Sequence, residues 1–220
     1  MSAAPKATTG TTVTTATTVY FQGSTAGTAT FAPVIPNGTG AGIVGVTKQG
    51  SSTWNLTGTN TYTGITAVTT GTLGVANLAN GGVASSIGQS SSAAANLVFQ
   101  STTAGQLGTF KYTGESATTD RLFTLKGTFF GNFTLDSGAG SLTFSNNGAL
   151  ANTSLGYALV LTGTGSGTLN PILPSSSSFG VIKSGSGTWT LNGLNTYTGS
   201  TTFTAGVLAV SNLANASTAS

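Results

Sequence analysis

The sequence has no cysteine and no histidine, and only 4% of its residues are charged. An ordinary soluble domain carries roughly 25% charged residues, so the deficit is large. Each absence removes chemistry. Without Cys and His there is no thiol nucleophile, no Ser-His-Asp triad, no His/Cys metal site and no disulfide framework. Three carboxylates in 220 residues leave little for acid-base or calcium chemistry. The six cations give a net charge of +3, but Lys6, Lys48, Lys111, Arg121, Lys126 and Lys183 are scattered singly. A nucleic-acid surface needs a stripe of positive charge, so no nucleic-acid partner is expected. No apolar run approaches the ~20 residues of a membrane helix, so membrane insertion is not expected. No catalytic residue, cofactor or metal site is expected, and the chain reads as no enzyme.

What the chain does have is 33 glycines and short runs rich in Val, Thr, Phe, Leu and Tyr. Helix formers are scarce. The runs alternate apolar and polar residues, and Gly, Asn or Ser closes them. They predict strands at 53–57, 72–76, 96–100, 108–113, 121–126, 131–136, 141–145, 157–162 and 188–192. Mean hydropathy of +0.22 with so little charge argues against disorder. Spacing of ~8–12 residues between strand starts fits a sandwich, a barrel or a solenoid.

An internal repeat decides among these. GVTKQGSSTWNLTGTNTYTGITAVTTGTLGVANLAN, from Gly45, aligns without a gap to GVIKSGSGTWTLNGLNTYTGSTTFTAGVLAVSNLAN, from Gly180. The shift is a constant 135 positions, and more than half of the aligned residues are identical. Trp54 and Leu56 are two apart and share one strand face. Asn60 to Gly64 forms a corner around Tyr62, and Gly71 turns the chain into a strand carrying Leu73 and Val75. The three strands around Trp54, Val68 and Leu73 are expected to make one coil of a parallel β-helix. With ~20–25 residues per coil and a ~4.8 Å step, the chain would form about 8–10 coils. Stacking in register would repel like charges and favour hydroxyl and amide ladders. That gives a physical reason for the missing charge.

The block Gly185 to Val210, GSGTWTLNGLNTYTGSTTFTAGVLAV, resembles the autotransporter-associated β-strand repeat, as does Lys48 to Leu73 with Ser52 where the pattern has Gly. The residues that carry the pattern are Trp54, Leu56, Tyr62, Gly64, Gly71 and Leu73, with Trp189, Leu191, Tyr197, Gly199, Gly206 and Leu208 in the second copy. The resemblance implies an all-β, right-handed parallel β-helix (β-solenoid) at a bacterial cell surface or outside the cell. It carries no catalytic residue.

Other features have plainer readings. Glu115, Asp120, Arg121, Lys126 and Asp136 could line a sugar-cleaving site, but a salt-bridged or solvated patch is the expectation. Trp54, Tyr62, Trp189 and Tyr197 are expected to pack, the tyrosines pinning corners through their hydroxyls. Phe99, Phe110, Phe123, Phe129, Phe130, Phe133, Phe144 and Phe203 are expected in the core. Domain organisation reads as 1–44, an extended strand segment with the first coil; 45–80, the first repeat; 81–179, a solenoid spacer; and 180–220, the second repeat with an open end.

Solenoids need caps to hide their last coil, and no charged or helical cap follows the second repeat. The Thr-rich stretch Thr11–Phe21 is a long strand candidate. The expectation is a structural surface protein whose copies stack head to tail into a filament, a homo-polymer. The alternative is an adhesin-type autotransporter passenger fragment that binds a glycan or host-matrix ligand.

Overall fold

The computed structural model describes residues 15–101, 108–127, 131–153, 158–175 and 179–212. The chain enters on β1 (Thr17–Phe21) and β2 (Thr28–Phe31), then runs through β3 (Val44–Lys48), β4 (Thr53–Leu56), β5 (Thr66–Val68) and β6 (Gly71–Val75). After a stretch holding one 3-10 turn, Ala94–Asn96, come β7 (Leu97–Ser101), β8 (Gly108–Tyr112), β9 (Ser116–Thr119), β10 (Thr124–Gly127), β11 (Asn132–Asp136) and β12 (Ser141–Phe144). The last part holds β13 (Ala151–Asn152), β14 (Ala158–Thr162), β15 (Ser166–Leu169), β16 (Gly180–Lys183), β17 (Thr188–Leu191), β18 (Thr201–Phe203) and β19 (Val207–Val210).

These strands lie on three faces. Face one stacks β1-β3-β5-β7-β10-β13, face two β2-β4-β6-β8-β11-β14-β16-β18, and face three β9-β12-β15-β17-β19. All the pairings between them are parallel. Parallel neighbours joined by one trip around the axis define a parallel β-solenoid. Face two carries one strand per coil, so its eight strands count eight coils. Asn132 pairs with Ala158, 26 positions on, but Val46 pairs with Thr66, only 20 on.

That shorter step corrects the expected coil. Trp54 sits beside Leu73 on face two, so the three strands of a repeat copy do not form one turn. Each copy spans two short coils with two strands apiece. Residues 57–65 and 192–200, rich in Asn, Thr and Gly, close the third side without a strand.

The two copies also occupy different faces. In the first, β3 and β5 lie on face one and β4 and β6 on face two. In the second, the equivalent β16 and β18 lie on face two and β17 and β19 on face three. The module is thus carried around the axis by one face between its copies.

Period-2 alternation builds the interior. β8 and β11 alternate buried and half-buried residues along their length, placing Phe110, Tyr112, Phe133 and Leu135 inside. Phe99 packs edge-on against Phe110 and Phe123, with ring centroids 6.0 and 5.2 Å apart, and Phe123 packs the same way on Phe144 at 5.4 Å. Edge-to-face pairs at this range add ~0.5–1.5 kcal/mol each beyond area burial. Two expectations change. Phe203 is 57% exposed, because no described coil covers the last one. The strand expected from Arg121 starts at Thr124 instead, and Arg121 itself turns inward. Phe129, Phe130 and residues 11–14 of the N-terminal strand candidate lie outside the described residues.

Candidate functional site

The repeat modules hold the side chains with the most elaborate contacts. At the start of each, a lysine is buried among carbonyl groups. Lys48 Nζ donates to the carbonyls of Gln49 (2.9 Å), Gly50 (2.6 Å) and Thr70 (3.0 Å). Lys183 Nζ donates to those of Ser184 (2.5 Å), Gly185 (2.9 Å) and Ala205 (3.0 Å). Each ammonium uses its three donors on two successive coils, so it ties the corner of one coil to the next. Gly71 and Gly206 pass under these ammonium groups with φ of 66° and 78°. A Cβ there would stand 2.7 Å from Lys48 Nζ or 2.6 Å from Lys183 Nζ. The left-handed backbone and the close approach both require glycine. Thr69 and Thr204 complete the tie by donating to the Lys48 and Lys183 carbonyls at 2.9 and 3.0 Å.

Burial pulls the Lys48 ammonium down from 10.5 to about 8 and lowers Lys183 as well. Folded Lys48 therefore loses its proton near pH 8, while the unfolded chain keeps it until about 10.5. Between those values the unfolded state binds more protons, so stability rises with pH across that window. Thermal midpoints measured from pH 7.5 to 10.5 should climb. Lys48→Met should flatten that climb, and an unchanged slope in the variant would refute the assignment.

The strandless corner is the second shared device. Asn60 Oδ1 accepts the Ile35 N–H at 2.8 Å and Asn195 Oδ1 that of Leu173 at 2.9 Å. The Tyr62 hydroxyl meets Thr66 Oγ1 at 2.6 Å and the Tyr197 hydroxyl meets Thr201 Oγ1 at 2.7 Å, the pinning expected of them. Burial pushes the Tyr62 phenol up, so it stays protonated. The N–H groups of Gly64 and Gly199 each donate at 2.8 Å, to the Val44 and Phe179 carbonyls. The tryptophans differ: Trp189 is fully buried and donates to the Thr162 carbonyl at 2.9 Å, whereas Trp54 is half-buried and reaches the Gln22 carbonyl at 3.3 Å. Leu56 and Leu191 line the interior below them; Leu73 is buried by the following coil, while Leu208, its equivalent, is only partly covered.

The charged cluster is taken apart by the fold. Lys111 Nζ pairs with Asp136 Oδ2 at 3.3 Å between adjacent strands of face two. Asp120 Oδ1 accepts the Gly81 N–H at 2.7 Å. Glu115 and Lys126 are exposed. Arg121 is neither ion-paired nor solvated, which corrects the patch expectation. It is 2% exposed, and its guanidinium donates to the carbonyls of Ala79, Asn80, Val83 and Gly88 and to Ser90 Oγ. This one side chain anchors the inserted loop after the first repeat. Lys48, Lys183 and Arg121 were missed as structural groups in the sequence; the lysine at a fixed place in both copies was the available signal.

The corner between faces two and three offers two open depressions of about 480 and 510 Å³, the second of them the more polar. Their walls are stacked Thr, Ser and Gly turns, with Lys111 and Asp136 at the rim of the first and Glu115 at the rim of the second. Such walls offer hydroxyls and backbone groups for hydrogen bonding but no assembled acid-base pair. Among the described residues no cluster of three carboxylates is placed to hold a metal ion.

Residues 46–75 and 181–210 match the passenger-associated-transport-repeat family. Over 196 residues the chain is 41% identical to the adhesin BmaC autotransporter of Brucella suis biovar 1 (strain 1330), an alignment covering 86% of this chain and 5% of that protein. The chain thus spans about a twentieth of the length of the relative it matches. No solved structure matches it. The matched segments coincide with the two modules in which lysine, asparagine, tyrosine and glycine make the same contacts. The chain is a parallel β-solenoid carrying two passenger-associated-transport-repeats of the autotransporter type, and it belongs to the bacterial cell surface or the space outside it.

Proposed function

We propose that the chain is a structural, non-catalytic rod of the bacterial surface whose end coils stack on other parallel coils, head to tail, to build a fibre. One observation carries this reading. Val68, Leu73 and Val75 of the first module are fully buried by the coil that follows, whereas of their counterparts Phe203 and Val210 are 57% and 41% exposed and Leu208 is partly covered. The surface that is core in one copy is largely uncovered in the other among the described residues. Covering it would remove a contiguous apolar patch from water at ~25 cal/mol per Å².

Negative-stain microscopy and light scattering test the proposal. The purified chain should form fibres at high concentration. Phe203→Asp with Val207→Asp should reduce it to monomers while leaving its circular dichroism unchanged, since both side chains are exposed. A parent protein that stays monodisperse at high concentration would sink the reading.

The adhesin reading is favoured by the hydroxyl-lined depressions and by the name of the B. suis relative. On that reading the rod presents a glycan or matrix ligand along the corner of faces two and three. Glycan-array binding that disappears on Thr164→Arg, which fills the depression, would support it.

A further inference from the structure

We infer that the second depression binds an extended, uncharged polysaccharide laid along the solenoid axis, with one sugar unit over each of four coils. This rests on the adhesin reading and names its ligand class and its direction.

The depression is a groove built by repetition. Each coil adds one step to it, a glycine followed by a hydroxyl residue: Gly140-Ser141, Gly165-Ser166 and Gly187-Thr188. The glycines make the hollow. A Cβ at Gly140, Gly165 or Gly187 would run into the carbonyl of Glu115, Gly140 or Gly165 on the coil before. The coils therefore close up on bare backbone there. The steps are also fixed in place. The Ser141 and Ser166 N–H groups donate to the Glu115 and Gly140 carbonyls, both at 2.9 Å. A groove held this way needs little ordering when a ligand enters.

One bank of the groove is a straight rank of hydroxyls. Ser116 pairs with Ser141, Ser141 with Ser166, and Ser166 with Thr188. All four side chains point outward from their strands. Among the described residues none of their hydroxyls bonds within the protein. Hydroxyls elsewhere in the solenoid are spent: Thr69, Ser137 and Thr204 each donate to a carbonyl of a neighbouring coil. Each free hydroxyl of the rank keeps one donor and two acceptor positions.

The spacing and the chemistry of the lining select the ligand. The rank repeats at ~4.8 Å, close to the advance of an extended glycan per sugar. Sugar hydroxyls both donate and accept, as the rank does. The lining holds no cation to fix a phosphate or a carboxylate, and Glu115 at one end repels anions. β12, β15 and β17 are each paired on both sides, so no sheet edge is open there for an added peptide strand. The lining holds no aromatic ring on which a single sugar could stack. Recognition therefore has to accumulate along the length of a chain.

Calorimetric titration with neutral β-1,4-linked gluco-oligosaccharides of two to six units tests the assignment. Affinity should rise about two- to tenfold per unit, the worth of one added hydrogen bond. The rise should stop at four units, because the groove spans four coils. Ser166→Arg should abolish binding with an unchanged circular dichroism spectrum, since its side chain is exposed. Thr134→Arg, on face two, should bind like the parent. Affinity that keeps rising past four units would overturn the assignment and leave the adhesin reading in place. An acidic galacturonate tetramer bound as tightly as the neutral one would do the same. So would binding that is lost on Lys111→Ala and kept in Ser166→Arg, which moves the ligand to the first depression. If no oligosaccharide binds but a glycan array gives other hits, the inference alone falls. If the array is blank as well, the adhesin reading falls with it.

Discussion

Arg121→Met is expected to destabilise the protein by at least ~3 kcal/mol, because the substitution strips hydrogen bonds from four carbonyls and a hydroxyl at once. An unpaired buried acceptor costs ~1–3 kcal/mol, and the loop can recover part of that by admitting water. Methionine fills much of the volume but satisfies none of the acceptors. The damage should be local first. Amide exchange should speed up across residues 79–90, with β11, β12 and β14 protected until global unfolding. Arg121→Lys should rescue only in part, since an ammonium has three donors against five on a guanidinium, and no shorter head group can span Ala79 to Ser90. Equal urea midpoints for Arg121→Met and the parent would show that the loop is held by something else.

Trp189→Ala is expected to cost ~3–5 kcal/mol, the range for deleting a large buried aromatic. The ring is fully buried, its N–H bonds to the Thr162 carbonyl, and its neighbour on the preceding coil is Gly167. A Cβ at Gly167 would fall into the indole ring itself, so Gly167→Ala should be damaging for the complementary reason. Trp54 occupies the same place in the motif but is half-buried and packs on Phe21 at 5.1 Å, on the first described coils. Trp54→Ala should therefore cost clearly less than Trp189→Ala. Urea denaturation of the two variants makes the comparison, and equal losses would contradict the difference in burial.

Much of this fold was legible in the sequence because strand parity and a gapless 135-residue repeat are both written in residue order. Leu56, Leu73, Trp189 and Leu191 show their faces through period-2 spacing alone. The assignment of strands to coils was not legible. Whether Leu73 shares a turn with Trp54 or sits above it depends on how tightly residues 57–65 close the third side, and that closure is set by Asn60, Tyr62 and Thr66 acting together. The buried cations were hidden for another reason. Lysine and arginine are almost never fully buried unless paired, and here the partners are backbone carbonyls, which have no sequence signature. Phe203 was misplaced because its burial depends on the neighbouring coil rather than on its own strand.

The lysine and arginine ties have a mechanical meaning for a solenoid under tension. In a solenoid the bonds between coils run along the long axis, so tension along that axis loads them one row at a time and peels coils from the end. Each coil contacts only its neighbours, and an untied coil offers little resistance once its row opens. Lys48 and Lys183 fasten successive coils at a corner, and Arg121 fastens the inserted loop to the coils below it. They act as rivets at intervals along the rod. A pulled chain would yield in bursts between these points and halt at each one.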